Sequence, residues 1–378
     1  LKRKRRSVKP GDLAKQVGEL LIIGFDGTEM ATQLASLLTR IQPAGVILFG
    51  RNIVSAQQTY KLLKDCRDRI SARSFTCVDL EGGRVDRFRE VFGRSPSAAD
   101  VFATGRRVLF RKHGKLIGQC CRALGFNTDF APVVDLTLEA SRAVMRSRAV
   151  SADPKQVVVY AREFLAGLKS AGVIGCIKHF PGLGEASLDT HEDLPSVNKD
   201  FKKLWDEDIY PYRALRRDSP MILIGHANYP QVTKDTAPAS LSKKWITDIL
   251  RKRVGYRGLV VSDDLEMGGV LKAAPIEQAA EQFIRAGGDL CLICHREEYV
   301  TRSYEHLVAE AERDSRFARR VRESAARVLA FKGKSAALRA RIMPLSDKRV
   351  DKLKRDLSAF SEEVRLRCIQ RRNAQASA

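Results

Sequence analysis

Two apolar runs, VIGCIKHF (Val173–Phe180) and GLVVSDDL (Gly258–Leu265), decide the fold. Each is strand length, apolar at nearly every position, and ends in charge. A continuous apolar run reads as a strand buried on both faces, whereas a strand with one wet face would alternate. Six further runs share the pattern: LLIIGF from Leu20, AGVILFG from Ala44, SFTCVDL from Ser74, FNTDFAPVVDL from Phe126, MILIGHANY from Met221 and GDLCLICH from Gly288. Between them lie stretches with helical spacing, such as SAQQTYKLLKDCRDRI, DPKQVVVYAREFLAGLKSAG, SKKWITDILRKRVG and PIEQAAEQFIRAGG. Strand and helix alternate about eight times, which predicts an α/β fold of the TIM-type (β/α)8 barrel class.

Polar residues gather where these runs end: Asp79, Asp129, Lys178 with His179, His226, and Asp263. A parallel barrel brings those ends to one mouth, where active sites form. A strand meeting solvent would account for the aspartates, but less well for a Lys-His pair inside an apolar stretch. Residues 1–11 read as a basic tail, 12–344 as the barrel domain, and 345–378 as a charge-rich helical extension. In the extension Val350, Leu353, Leu357, Phe360 and Val364 share one helix face, which predicts a helix packed on the outside of the barrel.

The 378 residues carry 67 Lys+Arg against 45 Asp+Glu, a formal net charge of +22. Such an excess raises the question of nucleic acid. No recognition motif accompanies it, and few aromatics interleave the basic runs, so no nucleic-acid partner is expected. Much of the charge falls on RKRVGYR, RFARRVRES and RALRR, expected as helices of the outer ring. No apolar run approaches the ~20 residues of a membrane span, and LKRKRR has no apolar segment behind it. A cytoplasmic chain without a secretory signal is therefore expected. Cys66, Cys77, Cys120, Cys121, Cys176, Cys291, Cys294 and Cys368 lie mostly in apolar runs, as free thiols do. CLICH (Cys291–His295) spells a c-type haem attachment. It lies on a strand, however, where its two thiols face opposite ways, so haem is not expected.

Four segments hold candidate chemistry. In KHFPGLGEASLDTHEDLP (Lys178–Pro195), Asp189 stands two residues before His191, close enough on a loop for the carboxylate to orient the imidazole. In GYRGLVVSDDLEMGGV, alternation lets only one of Asp263 and Asp264 face the mouth, as nucleophile, stabiliser or metal ligand, while the other caps the next helix. In CVDLEGGRVDRFRE, Asp79 and Glu81 precede paired glycines, and Asp79 is placed to accept hydrogen bonds from hydroxyls. In SRAVMRSRAVSADP, Arg142 and Arg146 read as surface arginines.

Taken together the chain resembles the family 3 glycoside hydrolases, in particular their single-domain bacterial β-N-acetylglucosaminidases of the NagZ type. AGVILFGRNI, VDLEGGRVDRF, GFNTDFAPVVDL, RAVSADP, IKHFPGLGEASLDTH, GHANYP, PASLS and GLVVSDDLEMGG stand in the family's order between roughly Val17 and Lys332. The resemblance implies Asp263 as catalytic nucleophile, His191 as acid/base, and Asp189 as its partner. It implies Asp79, Arg87, Arg148, Lys178 and His179 as holders of a terminal N-acetylglucosamine. No metal and no organic cofactor are expected, and a monomer acting on a saccharide or muropeptide is. The implied reaction releases N-acetylglucosamine from muropeptides with retention in peptidoglycan recycling. Alternatives are a family 3 glycosidase of chitooligosaccharides or β-glucosides, and a phosphorylase. Leu80, Val150 and Leu183 depart from the family pattern, at positions expected to shape the substrate pocket.

Overall fold

The computed structural model describes residues 10–70, 73–141, 145–185 and 194–376. Eight parallel strands close a barrel: β1 Leu21–Ile23, β2 Gly45–Ile47, β3 Phe75–Val78, β4 Thr128–Asp129, β5 Ile174–Phe180, β6 Met221–Ile224, β7 Leu259–Asp264 and β8 Leu290–Ile293. Each pairs with its neighbours in the sequence, and β8 closes on β1 with Leu21 opposite Cys291. All eight strands fall inside the eight apolar runs.

Those runs are continuous because both faces are buried. Ile22, Ile47, Phe75, Cys77, Cys176, Met221, Leu223, Leu259, Val261, Leu290 and Leu292 fill the lumen, while Leu21, Ile23, Ile177, Ile222, Ile224, Val260, Cys291 and Ile293 pack against the helices. Each fully buried aliphatic side chain contributes about 1.5–3 kcal/mol by leaving water. Cys291 and Cys294 divide between these two clusters, as strand geometry requires. All eight cysteines are free thiols.

The helix Asp347–Ala376 packs on the helices Arg107–Leu124, Arg89–Phe92 and Ala98–Ala103. Val350, Leu353, Leu357, Phe360 and Val364 are all buried beneath it, so the apolar face read from the sequence is the docked one.

The basic helices are less uniform than an outer ring of solvated charge. Arg316, Arg319 and Arg322 are exposed, but three other arginines turn inward to Asp289, which is fully buried at the start of β8. Arg251 Nη2 donates to its Oδ2, Arg327 Nε donates to Oδ1 at 2.8 Å, and Arg320 Nη2 stands 3.7 Å from Oδ1. The Val260 N–H donates to Oδ2 at 3.0 Å. Removing one partner of a buried ionic cluster strands the others without water, at a cost of about 3–5 kcal/mol. Asp289→Asn is therefore expected to lower unfolding free energy by about 3 kcal/mol, read as a lower urea midpoint at unchanged slope.

Candidate active site

Two strands break period-2 alternation at the mouth. On β7, Val261 and Asp264 pair with Leu290 and Leu292, so three steps on one strand oppose two on the other. On β5, Ile177 and Phe180 pair with Ile222 and Ile224 in the same ratio. An extra residue of this kind is a bulge, and it re-aims neighbouring side chains. The result is that Asp263 and Asp264 both line the cavity, as do Lys178 and His179. The expectation that only one aspartate could face the mouth is thereby corrected.

The cavity measures about 460 Å³. Ile47, Leu223 and Leu292 contribute its apolar floor, and Phe49, Arg51, Asp79, Glu81, Arg87, Arg148, Leu183, Met267 and His295 contribute to its walls. Asp79, Arg87, Arg148, Lys178, His179 and Asp263 are thus brought together. Asp189 and His191 lie outside the described residues, as does Arg142. Asp129 and His226 do not line the cavity but sit buried behind it. Asp129 Oδ1 accepts the Leu80 N–H at 2.9 Å, and burial drives its carboxyl well above the ordinary carboxylate range. Its observed partner is thus the backbone.

One wall is an ion cluster. Lys178 Nζ donates to Asp79 Oδ1 at 2.6 Å and stands 2.8 Å from Glu81 Oε1. Arg148 grips Glu81 with both nitrogens, Nε to Oε2 at 2.7 Å and Nη2 to Oε1 at 2.8 Å. Burial acts to raise the Glu81 carboxyl, but Arg148 and Lys178 outweigh it and hold it far below the usual range. In the same way Asp79 and Glu81 outweigh burial and hold Lys178 charged. Glu81 therefore contributes stability that is present above its unfolded pKa of ~4.3 and lost as pH falls toward its lower folded value. Arg148 is partly buried, and Arg146 two residues before it is exposed.

His179 Nδ1 lies 2.7 Å from Asp135 Oδ2. A carboxylate only accepts, so Nδ1 carries the proton and Nε2 faces Arg148 Nη2 at 3.5 Å. Asp135 Oδ1 also accepts the Leu183 N–H at 2.8 Å, which fixes the start of the following loop. Arg87 stands with its guanidinium carbon 5.8 Å from the Phe49 ring centre, and its buried Nε has no hydrogen-bond partner among the described residues.

Asp263 Oδ1 accepts the Asp264 N–H at 2.9 Å. Burial pushes the Asp263 carboxyl up, but His179, His226 and Lys178 outweigh it and hold the group below the ordinary aspartate value. His226 is held below its own usual value by burial, against the pull of Asp263. Its Nε2 donates to the Asp264 carbonyl at 2.9 Å, and its Nδ1 lies 2.8 Å from Ser240 Oγ. The arrangement offers an ionised carboxylate in a walled cavity with fixed donors and acceptors around it, fit for nucleophilic attack on a polar, hydroxylated substrate.

Sequence reasoning did not assign Glu81, Asp135 or His295 to the site. For Asp135 a signal existed: FNTDFAPVVDL carries two aspartates, and the bridge of Val133 to Lys178 extends the strand direction past Asp129. Of the three departures from the family pattern, Leu183 lines the cavity, Leu80 is buried in the core, and Val150 packs against the core.

Comparison with known proteins agrees with this fold. The profile described as the glycosyl hydrolase family 3 N-terminal domain matches residues 12–331. The β-hexosaminidase of Stenotrophomonas maltophilia (strain K279a) is 36% identical over 285 residues, 74% of this chain and 84% of that one. A glycoside hydrolase family 3 β-N-acetylglucosaminidase from Paenibacillus sp. str. FPU-7 superposes with a TM-score of 0.85 at 30% identity, over 92% of this chain and 68% of that one. NagZ from Neisseria gonorrhoeae in complex with zinc ion superposes with a TM-score of 0.68 at 25% identity, over 90% and 97% of the two chains. The chain belongs to glycosyl hydrolase family 3 and is a glycoside hydrolase of the β-hexosaminidase kind.

Proposed function

We propose that the chain is a retaining exo-β-N-acetylglucosaminidase that releases terminal N-acetylglucosamine from muropeptides during peptidoglycan recycling. It acts as a cytoplasmic monomer and needs no metal or organic cofactor. The observation that carries this reading is that Asp263 lines one cavity together with the Lys178–Asp79–Glu81–Arg148 ion cluster. Among the described residues no helix is long and apolar enough to cross a membrane.

In this reading Asp79, Arg87, Arg148, Lys178 and His179 hold the terminal sugar. Asp79 accepts from its hydroxyls, with Lys178 fixing the carboxylate in place. Asp263 attacks the anomeric carbon and forms a covalent glycosyl-enzyme. His191, oriented by Asp189, protonates the departing oxygen and then takes a proton from water for the second inversion, so that configuration is retained. An imidazole titrates near neutrality without the tuning a carboxylic acid needs for this task. The cluster supports a polar, hydroxyl-rich ligand, and the basic chain suits an acidic muropeptide.

His191→Ala is expected to slow a poor leaving group such as a sugar alcohol by about 10²-fold or more, the usual worth of a general acid, and an activated phenol far less. Steady-state rates on both substrate types check this, and equal slowing would remove His191 from the acid role. Incubation with muropeptides and with chitobiose in parallel, with and without phosphate, tests the substrate. The reading expects free N-acetylglucosamine from the muropeptide. Faster release from chitobiose, or a sugar phosphate as product, would replace it with an alternative family 3 activity.

A further inference from the structure

His295 ends the CLICH run, and its side chain lines the active-site cavity. Nε2 stands 3.1 Å from Asp264 Oδ2. The His295 backbone N–H donates to Glu266 Oε1 at 2.6 Å, and its ring stacks on Phe49 with centroids 5.4 Å apart. Arg51 lies over the same Phe49 ring at 4.8 Å. The imidazole therefore ties the end of β7 to the loop after β2, and the His295 backbone ties the loop after β7 to the end of β8. Asp264 carries that tie to the reacting carboxylate: its own N–H donates to Asp263 Oδ1, its carbonyl accepts from His226, and its Oδ1 accepts the Glu266 N–H at 3.1 Å.

We propose that His295 is a positioning residue for the glycosylation step, neutralising Asp264 and fixing it so that Asp263 stays ionised and oriented. The proposal rests on Asp263 being the nucleophile. Adjacent carboxylates at one mouth disfavour each other's ionisation unless a cation compensates. The charged groups acting on the Asp263 carboxyl are His179, His226 and Lys178, joined by the Asp264 backbone N–H, and the Asp264 side chain lines the same cavity. Those facing His295 are Asp264, Glu266 and Arg51. The hydrogen bond to Asp264 raises His295 above the ordinary histidine value, against burial and Arg51. The imidazole is therefore cationic throughout the acidic range in which Asp263 ionises.

The test is the pH dependence of kcat/KM on 4-nitrophenyl β-N-acetylglucosaminide for wild type, His295→Gln, and His295→Gln with Asp264→Asn. Glutamine keeps a donor of similar reach and removes the cation. The acidic limb, which reports the nucleophile's ionisation in the free enzyme, is expected to move up by about one pH unit in His295→Gln. It is expected to return toward wild type when Asp264 is also neutralised. A limb unmoved in His295→Gln overturns the proposal. An imidazole NMR titration provides a second arm that needs no His295 variant: the His295 pKa is expected to fall in Asp264→Asn, and an unchanged value overturns the pairing. Asp263→Asn separates the two readings, since full activity there sinks the nucleophile assignment. Loss of activity there with an unmoved limb in His295→Gln sinks only the role of His295.

Discussion

Asp263→Asn is expected to lower kcat on an aryl β-N-acetylglucosaminide by about 10³-fold or more, with the protein folded and still able to bind sugar. The argument is electrostatic and geometric. Asparagine keeps an oxygen to accept the Asp264 N–H, so the bulge at the end of β7 retains its hydrogen bond. What disappears is the negative charge that His179, His226 and Lys178 hold in place. An amide oxygen is a poor nucleophile toward an anomeric carbon, and a factor of 10³ corresponds to about 4 kcal/mol of lost transition-state stabilisation. Thermal melting should fall only modestly, because Lys178 keeps Asp79 and Glu81 as partners when the Asp263 charge is lost. Initial rates together with a melting curve check both halves.

Lys178→Met is expected to damage stability and activity together. Lys178 is 3% exposed and pairs with two carboxylates, so its removal leaves Asp79 and Glu81 facing each other with Arg148 as their main counter-charge. Stranding charge in this way costs about 3 kcal/mol or more. The same loss frees Asp79 to turn, so kcat/KM is expected to fall by about 10²-fold, as misplacement of a binding group does. Adding Asp79→Asn should recover part of the stability, since the unpaired charge is gone, and none of the activity, since the acceptor proposed for the sugar is gone as well. Urea denaturation and steady-state kinetics on the single and double variants check the pattern. Recovery of activity in the double variant would show that Lys178 acts only in folding.

The barrel was legible because a strand buried on both faces must be apolar throughout. Val260 meets a helix and Val261 the lumen, so neither position tolerates charge. The docked face of the last helix was legible for the related reason that Val350, Leu353, Leu357, Phe360 and Val364 repeat at helical spacing. The mouth was only half legible. A period-2 reading cannot anticipate the bulges that turn both Lys178 and His179, and both Asp263 and Asp264, into one cavity. Nor does pattern distinguish an arginine that solvates a helix from Arg251, Arg320 and Arg327, which converge on a single aspartate remote in sequence. His295 was visible only as part of a haem spelling, because its partner Asp264 stands on another strand.

The covalent intermediate is the most direct test of the account. Incubation with a 5-fluoro N-acetylglucosaminyl fluoride, then trypsin digestion and fragmentation mass spectrometry, should place one sugar on the peptide Gly258–Lys272. The account expects the label on Asp263. A label on Asp264 or Glu266, or no protein-bound sugar while substrate is turned over, would contradict it.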